Sequence, residues 1–299
     1  MAVMLTLSAD HLAAYRAETY QLRPDLRVTT REQAIDFVNR RGFVHFWPVK
    51  GVLLPSLWAA VAGERPVPNE HDDPGHVTWG WKDELLGARR WYYAKVLRKK
   101  ATFIALDVVP TFYALSENYG EPEQDYLLQY QEGRLTFEAK AVYEALLYEG
   151  PLDSISLRKV ARLGSKESDS RFNRALDLLQ ADFKILPVGV AQAGAWKYAF
   201  IYDLVHRFYP DLPEQARLIR QAEARRKLAG LYLQSVGAAP EKALMSLFGW
   251  PKGDAGAALN ALVQDGLAVE DVRLAEQPGR WVASSLVLQG YCSAGGASM

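Results

Sequence analysis

The chain has 299 residues, enough for two or three small domains, and its 35 lysine and arginine residues balance 35 acidic ones. Zero net charge excludes a polycationic tail and a long-range attraction to nucleic acid, although it is compatible with local basic patches. The single cysteine, Cys292, excludes an intrachain disulfide, and the lack of a leader-like segment or of an apolar run of ~18 residues predicts a cytoplasmic protein without a membrane span.

Helical periodicity dominates the first 120 residues. Residues 31–42 predict an amphipathic helix, and residues 54–63 predict a shorter helix that ends at a glycine. The segment 64–76 is rich in proline and acidic residues, which predicts a loop. Residues 82–101 predict a further helix with aromatic and basic faces. The turn-rich segment 117–126 then predicts the first domain boundary.

The rest of the chain contains two similar blocks, each predicted as a helix, a short helix, a third helix and a β-hairpin. This order is typical of a winged helix, a variant of the helix-turn-helix. Matched positions keep a nearly constant offset, which indicates a tandem repeat: Gly150 with Gly237, Leu176 with Leu259, and Trp196 with Trp281. The alternative is a chance match between two small units of a common type.

The predicted fold class is therefore mainly α with short β-hairpins (α+β), built from tandem winged-helix units. Domains are predicted at 1–120, 121–212 and 213–299, the last with a short C-terminal tail. Ala193-Gly194 and Pro278-Gly279 are predicted to form the hairpin turns. No phosphate-binding loop, dinucleotide-binding glycine motif or cysteine-based zinc motif is found, so we expect no cofactor.

Four stretches carry a resemblance to a known family: GFVHFWPVKGVLLPSLW, EALLYEGPLDSISLRKVARL, RFNRALDLLQADFKILPVGVAQAGAWKYAF and ARRKLAGLYLQSVGAAPEKALMSLFGW. The chain resembles, from about Arg27 to Trp281, the winged-helix DNA glycosylases of the AlkZ and YcaQ type. These enzymes unhook interstrand crosslinks and excise alkylated purines. The resemblance implies three tandem winged-helix units that hold double-stranded DNA in a concave channel.

The sequence departs from that family at two places. After the first amphipathic helix the characterised enzymes carry a Gln-x-Gln or Gln-x-Asp motif that positions water beside the C1′ carbon. The matching place here reads His45-Phe46-Trp47. The enzymes also end in a small β-barrel, for which we expect the residues after the second block to be too few. The resemblance thus implies either excision of alkylated or crosslinked bases, or a catalytically inactive DNA-binding protein or transcription regulator.

Three residues are candidates for activating water at a glycosidic bond. A neutral His45 imidazole can accept a proton near pH 7, whereas the alternative is a core histidine bonded to the backbone. Asp72 and Asp73 lie in the acidic loop and could act as a base or stabilise positive charge, whereas the alternative is a solvated loop. The loose spacing of His71 and His76 does not predict a metal site.

Basic side chains and one tryptophan are the candidates for contact with DNA, because lysine and arginine neutralise phosphates. The candidates are Trp47, Lys50, Arg89, Arg90, Lys95, Lys99, Lys166, Arg171, Arg174 and Arg225. Arg98 and Lys100 share the predicted 82–101 helix with four of them. The predicted third helix of the second block contains no lysine or arginine, so it is predicted not to enter a groove. Double-stranded DNA, possibly damaged, is the expected partner, bound by a monomer associated with the nucleoid.

Overall fold

A computed structural model describes residues 5–70, 72–275, 277 and 279–289. The chain divides into two compact units. The discontinuous unit takes the chain up to Thr78 and again from Gln221, and the continuous unit is Trp79–Arg220. Both combine helices with short strands, which confirms the α+β fold class. No helix within the described ranges has the length and apolar character needed to cross a bilayer.

The first block lies in the continuous unit and has the predicted order of elements. These are α7 (Phe137–Glu149), β5 (Leu152–Asp153), α8 (Ser154–Val160), α9 (Asp169–Ala181), β6 (Ile185–Ala191) and β7 (Ala199–Leu204). The helix α7 begins at Thr136, whose side chain accepts a hydrogen bond from the Ala139 amide, and ends at Gly150. The strands form a sheet in the order β5-β7-β6, over a core shared by the three helices.

The second block repeats this order in the discontinuous unit. Its elements are α12 (Gln221–Val236), β8 (Ala238–Ala239), α13 (Glu241–Phe248), α14 (Lys252–Gln264), β9 (Ala268–Leu274) and β10 (Trp281–Ser284). Gly150 and Gly237 both follow the first helix with positive φ. Trp196 and Trp281, in contrast, are not equivalent. Trp196 lies in the turn between β6 and β7, whereas Trp281 begins β10 and is buried in a core cluster.

The structure describes both residues of the first predicted hairpin turn and one residue of the second. Gly194, in the turn between β6 and β7, has the positive φ of 78° that such turns use. Pro278 lies outside the described residues, while Gly279 has a φ of 102°.

An N-terminal segment completes the discontinuous unit. The strand β1 (Thr6–Leu7) pairs in parallel with β9, which makes a four-stranded sheet in the order β1-β9-β10-β8. The helix α1 (Ala9–Thr19) follows and packs on α12. Arg16 of α1 donates to the carbonyl oxygens of Val236 at 2.9 Å and Ala238 at 2.8 Å, so it satisfies acceptors where α12 ends.

The same order of elements occurs a third time, nearer the N-terminus. It comprises α2 (Arg31–Arg41), β2 (Phe43–His45), α3 (Leu57–Ala62), α4 (Val77–Leu85), β3 (Tyr92–Lys95) and β4 (Ala101–Ile104). The predicted helices at 31–42 and 54–63 therefore exist, although the second begins at Leu57. Most of the predicted 64–76 loop is irregular, with a 3-10 turn over Pro74–His76.

The predicted helix over 82–101 is wrong. The helix α4 ends at Leu85, and the segment from Tyr92 forms β3, which pairs antiparallel with β4 from Tyr92↔Ile104 to Lys95↔Ala101. Tyr92, Tyr93 and Ala94 are all buried. Three consecutive buried residues with two aromatic rings favour an extended strand covered on both faces over an amphipathic helix.

Shorter helices connect these blocks within the continuous unit. They are α5 (Val109–Tyr113), α6 (Asp125–Gln131), α10 (Val205–Phe208) and α11 (Leu212–Arg217). The predicted turn-rich link at 117–126 is irregular up to Gln124. The division into two units follows shared packing, whereas the domain limits predicted at residues 120 and 212 follow the order of blocks along the chain; those limits stay a prediction.

Candidate nucleic-acid interface

The predicted catalytic histidine lies in a strand of the discontinuous unit. His45 ends β2, and its backbone amide donates to the Pro55 carbonyl at 2.9 Å. The Trp58 amide donates to the Phe46 carbonyl at 3.0 Å, so this stretch is fixed on both sides of His45. Only 1% of the His45 surface is exposed. The imidazole is therefore enclosed by protein and does not face a nucleotide on the surface.

The other two candidates near His45 are more accessible. Trp47 is half-buried, with its ring 4.9 Å from the Phe46 ring. Lys50 is exposed in the loop that connects β2 with α3. The structure thus leaves a cation, but no carboxylate or amide side chain, in the segment 45–50.

Asp73 has a structural environment in the acidic loop. Its Oδ1 accepts from the Gly75 amide at 2.7 Å and from Arg65 Nη2 at 2.6 Å, which caps the 3-10 turn that follows. The Arg65 hydrogen bond lowers the pKa of Asp73, with a further contribution from the Gly75 amide. Asp73 therefore remains ionised but accepts a proton weakly. Asp72 is exposed beside it.

Of the two histidines of this loop, the structure describes only His76. His71 lies outside the described residues. Across the described ranges, no group of three histidine, cysteine or acidic side chains is close enough to hold an ion.

A large cleft lies in the discontinuous unit, with a volume of about 1060 Å³. Its walls are mainly alanine, leucine, valine and proline side chains from α1, from the loop after β2 and from residues 64–66. Asp10, Arg23 and Glu64 contribute charges at its edge. His45, Trp47 and Asp73 are not among the described residues that line it. The cleft reaches this group only through neighbours, because Arg65, which pairs with Asp73, and Pro48, which follows Trp47, are among its lining residues.

The basic residues of the β3–β4 hairpin form an exposed cationic group in the continuous unit. Arg98, Lys99 and Lys100 follow β3, and all three are exposed. Within the part of the chain that the structure describes, none of the three takes part in an ion pair. Arg98 and Lys99 have φ of 54° and 55°, left-handed values that cost about 1 kcal/mol per residue for non-glycine side chains. This turn thus holds three cations together in a constrained conformation.

Contacts with α9 fix the hairpin in place. Lys95 Nζ lies 2.7 Å from Asp177 Oδ1, and the Lys95 amide donates to Gln180 Oε1 at 3.2 Å. The helix α9 also packs against the 3-10 turn Leu97–Lys99. Lys95 therefore acts as an internal tie, and the hairpin cations lie next to α9. We call the exposed set Arg98, Lys99, Lys100 and Arg174 the basic hairpin surface.

The other residues predicted to contact DNA differ in whether the charged group is exposed or already contacts another side chain. Arg174 is exposed on α9, and Lys166 is exposed just before that helix. Arg171 pairs with Glu138 at 3.3 Å. Arg89 places its guanidinium 4.6 Å from the centre of the Phe208 ring, and Arg90 beside it is exposed.

Two arginines of α12 pair with acidic residues, one in the first turn of α14 and one directly after its end. Arg225 Nη2 lies 3.1 Å from Asp254 Oδ2, and Arg226 Nε lies 2.6 Å from Asp265 Oδ2. The helix α14 begins at Lys252, earlier than predicted. The third helix of this block therefore contains one lysine, whereas the sequence predicts none. Much of the positive charge in this block is thus neutralised internally.

Sequence reasoning missed a buried lysine in the continuous unit. Lys82 of α4 is 1% exposed, and its Nζ lies 2.6 Å from Asp83 Oδ1 and 2.9 Å from the Tyr198 hydroxyl. The ammonium also lies 4.4 Å from the centre of the Phe200 ring. Burial lowers the pKa of Lys82, and the Asp83 carboxylate opposes that shift. No spacing in the sequence indicates this group, since Tyr198 and Phe200 lie more than 100 positions after Lys82 and Asp83.

Replacing Asp83 by alanine is expected to lower the free energy of unfolding by about 2 kcal/mol, because a buried ammonium loses its counter-charge. Urea unfolding followed by circular dichroism measures the change. Tyr198→Phe is the matched control, since it removes one hydroxyl and keeps the ion pair, and about 1 kcal/mol is expected. Equal stability of Asp83→Ala and the parent chain would contradict this assignment.

Replacing His45 by alanine is expected to lower the free energy of unfolding by about 2 kcal/mol, because a fully enclosed ring leaves a cavity. Its affinity for DNA is expected to stay within about twofold of the parent. Lys50→Ala, at an exposed position of the same segment, serves as the stability control. Unchanged stability combined with a loss of base release would instead assign His45 to catalysis.

Comparison with known proteins gives one family and one fold relative. A family model described as AlkZ-related matches residues 28–249, more than half of the chain. Among solved structures, the chain is similar to the Streptomyces sahachiroi DNA glycosylase AlkZ, with a TM-score of 0.60 and 15% sequence identity. That alignment covers 97% of this chain and 73% of the other. No curated protein sequence matches the chain.

Proposed function

We propose that this chain, which belongs to the AlkZ-related family, binds double-stranded DNA through the basic hairpin surface and acts in DNA repair. The observation that carries the proposal is the set of three consecutive exposed cations, Arg98, Lys99 and Lys100, beside α9. Clustered cations on a protein of zero net charge bind phosphates by releasing counterions. The solved relative is named a DNA glycosylase, which supports DNA as the partner.

Phosphate contacts position a protein on DNA but do not read the sequence. The proposed binding mode is therefore general for double-stranded DNA, and any preference comes from the shape or damage of the duplex. A chain of this kind would be associated with the nucleoid and would act without a membrane partner. We propose that the chain binds DNA as a monomer.

Base excision is the second candidate function, and membership of the family is the observation that favours it. His45 is enclosed, and the pKa of Asp73 is lowered by Arg65, so neither offers a ready general base. Exposed Asp72 is the remaining carboxylate among the three candidates. We therefore place DNA binding before excision in the proposal.

Fluorescence anisotropy of a labelled duplex over a salt series tests DNA binding. The undamaged duplex is compared with the same duplex carrying a stable abasic-site analogue. We expect binding to both at low salt, with a logarithmic slope near −3 or steeper, about −0.9 for each phosphate contacted. Absence of binding at low salt would overturn the proposal. Release of base from an alkylated duplex, lost in Asp72→Ala, would move excision to first place.

A further inference from the structure

Trp196 is the most exposed large apolar side chain among the described residues, at 91%. It lies in the turn between β6 and β7, where Gly194 and Lys197 have φ of 78° and 50°. The Lys197 amide donates to the Gly194 carbonyl at 3.1 Å and closes the turn. Tryptophan is usually buried for most of its surface, so an indole held almost entirely in solvent indicates a contact that another molecule completes.

The turn that carries Trp196 is held by contacts with two helices. The Tyr198 hydroxyl, two residues further on, donates to Asp83 Oδ1 at 2.9 Å and accepts from the buried Lys82. On the other side, Gly194 lies so close to α8 that an added Cβ would be 2.8 Å from Ile155 Cδ1. The hairpin is therefore anchored to α4 and to α8, and it presents the indole in a defined place.

The side chains around Trp196 fit nucleic acid. The three residues before the indole, Ala193, Gly194 and Ala195, are small, so the chain on that side of Trp196 carries no bulky side chain. Lys197 follows directly and is exposed. The helix α9, which carries Arg174 of the basic hairpin surface, packs against β6, the strand that leads into this turn. An indole can stack on a nucleobase while the neighbouring lysine contacts a phosphate of the same strand.

We propose that Trp196 is a wedge that stacks on a base exposed at an unstacked or abasic step of duplex DNA, with Lys197 on the adjacent phosphate. This inference rests on the proposed function, since it requires the chain to bind DNA. Apolar side chains enter base steps at a cost in unstacking, and that cost is smallest where a base is already missing or unpaired. Trp196 would therefore supply selectivity for damage, while the basic hairpin surface supplies affinity.

The test compares the undamaged and abasic-analogue duplexes in three variants at one salt concentration. Trp196→Ala is expected to weaken binding to the abasic duplex about 10-fold and binding to the undamaged duplex less than about twofold. Trp196→Phe keeps an aromatic face and should lose less than Trp196→Ala. Tyr148→Ala is the matched control, because Tyr148 is an aromatic side chain of α7 that is 74% exposed.

The possible results distinguish failure of the wedge proposal from failure of the DNA-binding proposal. If the parent binds both duplexes and Trp196→Ala binds them as tightly as the parent, the wedge is overturned and DNA binding stands. An equal loss on both duplexes also overturns it, since that marks a general contact. If the parent binds neither duplex, both proposals fail, and a protein-docking role for Trp196 becomes the alternative. The substituted position is exposed, and an unchanged circular dichroism spectrum checks that the variant is folded.

Discussion

Replacing Arg98, Lys99 and Lys100 together by alanine is expected to weaken binding to duplex DNA about 100-fold near 0.1 M salt. Each cation that neutralises a phosphate contributes about 0.9 to the logarithmic salt slope, so the slope should become shallower by roughly 3. Anisotropy titrations at four or more salt concentrations measure both quantities. The three side chains are exposed and make no ion pair in the described part of the chain, so the variant should keep its stability.

The matched control is Arg225→Ala. Arg225 was predicted from the sequence as a DNA contact, but its guanidinium lies 3.1 Å from Asp254. Removing it should leave the salt slope unchanged. The opposite result would be a salt slope that changes in Arg225→Ala but not in the variant of the three hairpin cations. That result would place the interface in the discontinuous unit and overturn the proposed binding surface.

Replacing Gly237 by alanine is expected to lower the free energy of unfolding by about 3–4 kcal/mol, the largest stability effect we anticipate. The positive φ of 75° strains any L side chain by about 1–2 kcal/mol. In addition, an added Cβ would lie 2.8 Å from both Leu12 Cδ1 and Tyr15 Cδ1, so the side chains that α1 packs here would have to shift. Overpacking of this kind costs about 1–3 kcal/mol more.

The tandem repeat provides a matched control for this substitution. Gly150 occupies the equivalent place after α7, with a φ of 87°, and an added Cβ there would meet nothing within 4 Å. Gly150→Ala should therefore show the conformational cost alone. Urea unfolding of both variants measures the difference, which isolates the packing of α1. An equal loss of unfolding free energy in both variants would show that the contact with Leu12 and Tyr15 adds no cost.

The sequence predicts the repeated blocks well because their signals are local. Apolar spacing marks α9 and α14 through Leu176 and Leu259, and the glycines at 150 and 237 mark helix ends. The sequence predicts helix in place of β3 because the basic residues before Tyr92-Tyr93 extend the helical pattern of α4, and only the pairing with β4 distinguishes strand from helix. The pairing of β1 with β9 is also invisible, since Thr6 and Arg273 lie at opposite ends of the chain.

The candidate site was predicted only in part. Arg98, Lys99 and Lys100 stand out as cations in the sequence, and the structure places all three at the surface, while their contact with DNA stays a prediction. The sequence cannot indicate that Lys95 and Arg225 are matched by Asp177 and Asp254, because these pairs depend on how the elements pack. Trp196 was matched with Trp281 by spacing alone, and the exposure of the first and burial of the second could not be predicted from that match.

The parallel pairing of β1 with β9 has a consequence for synthesis on the ribosome. The continuous unit is complete once residue 220 has emerged, whereas β1 and α1 must wait until β9 and β10 follow. At about 5–20 residues per second, that delay is on the order of ten seconds or more. During it, Leu7 and Leu12 lack the later residues of the core cluster that encloses them in the finished fold. Leu7 and Leu12 are therefore apolar side chains whose burial depends on residues synthesised much later.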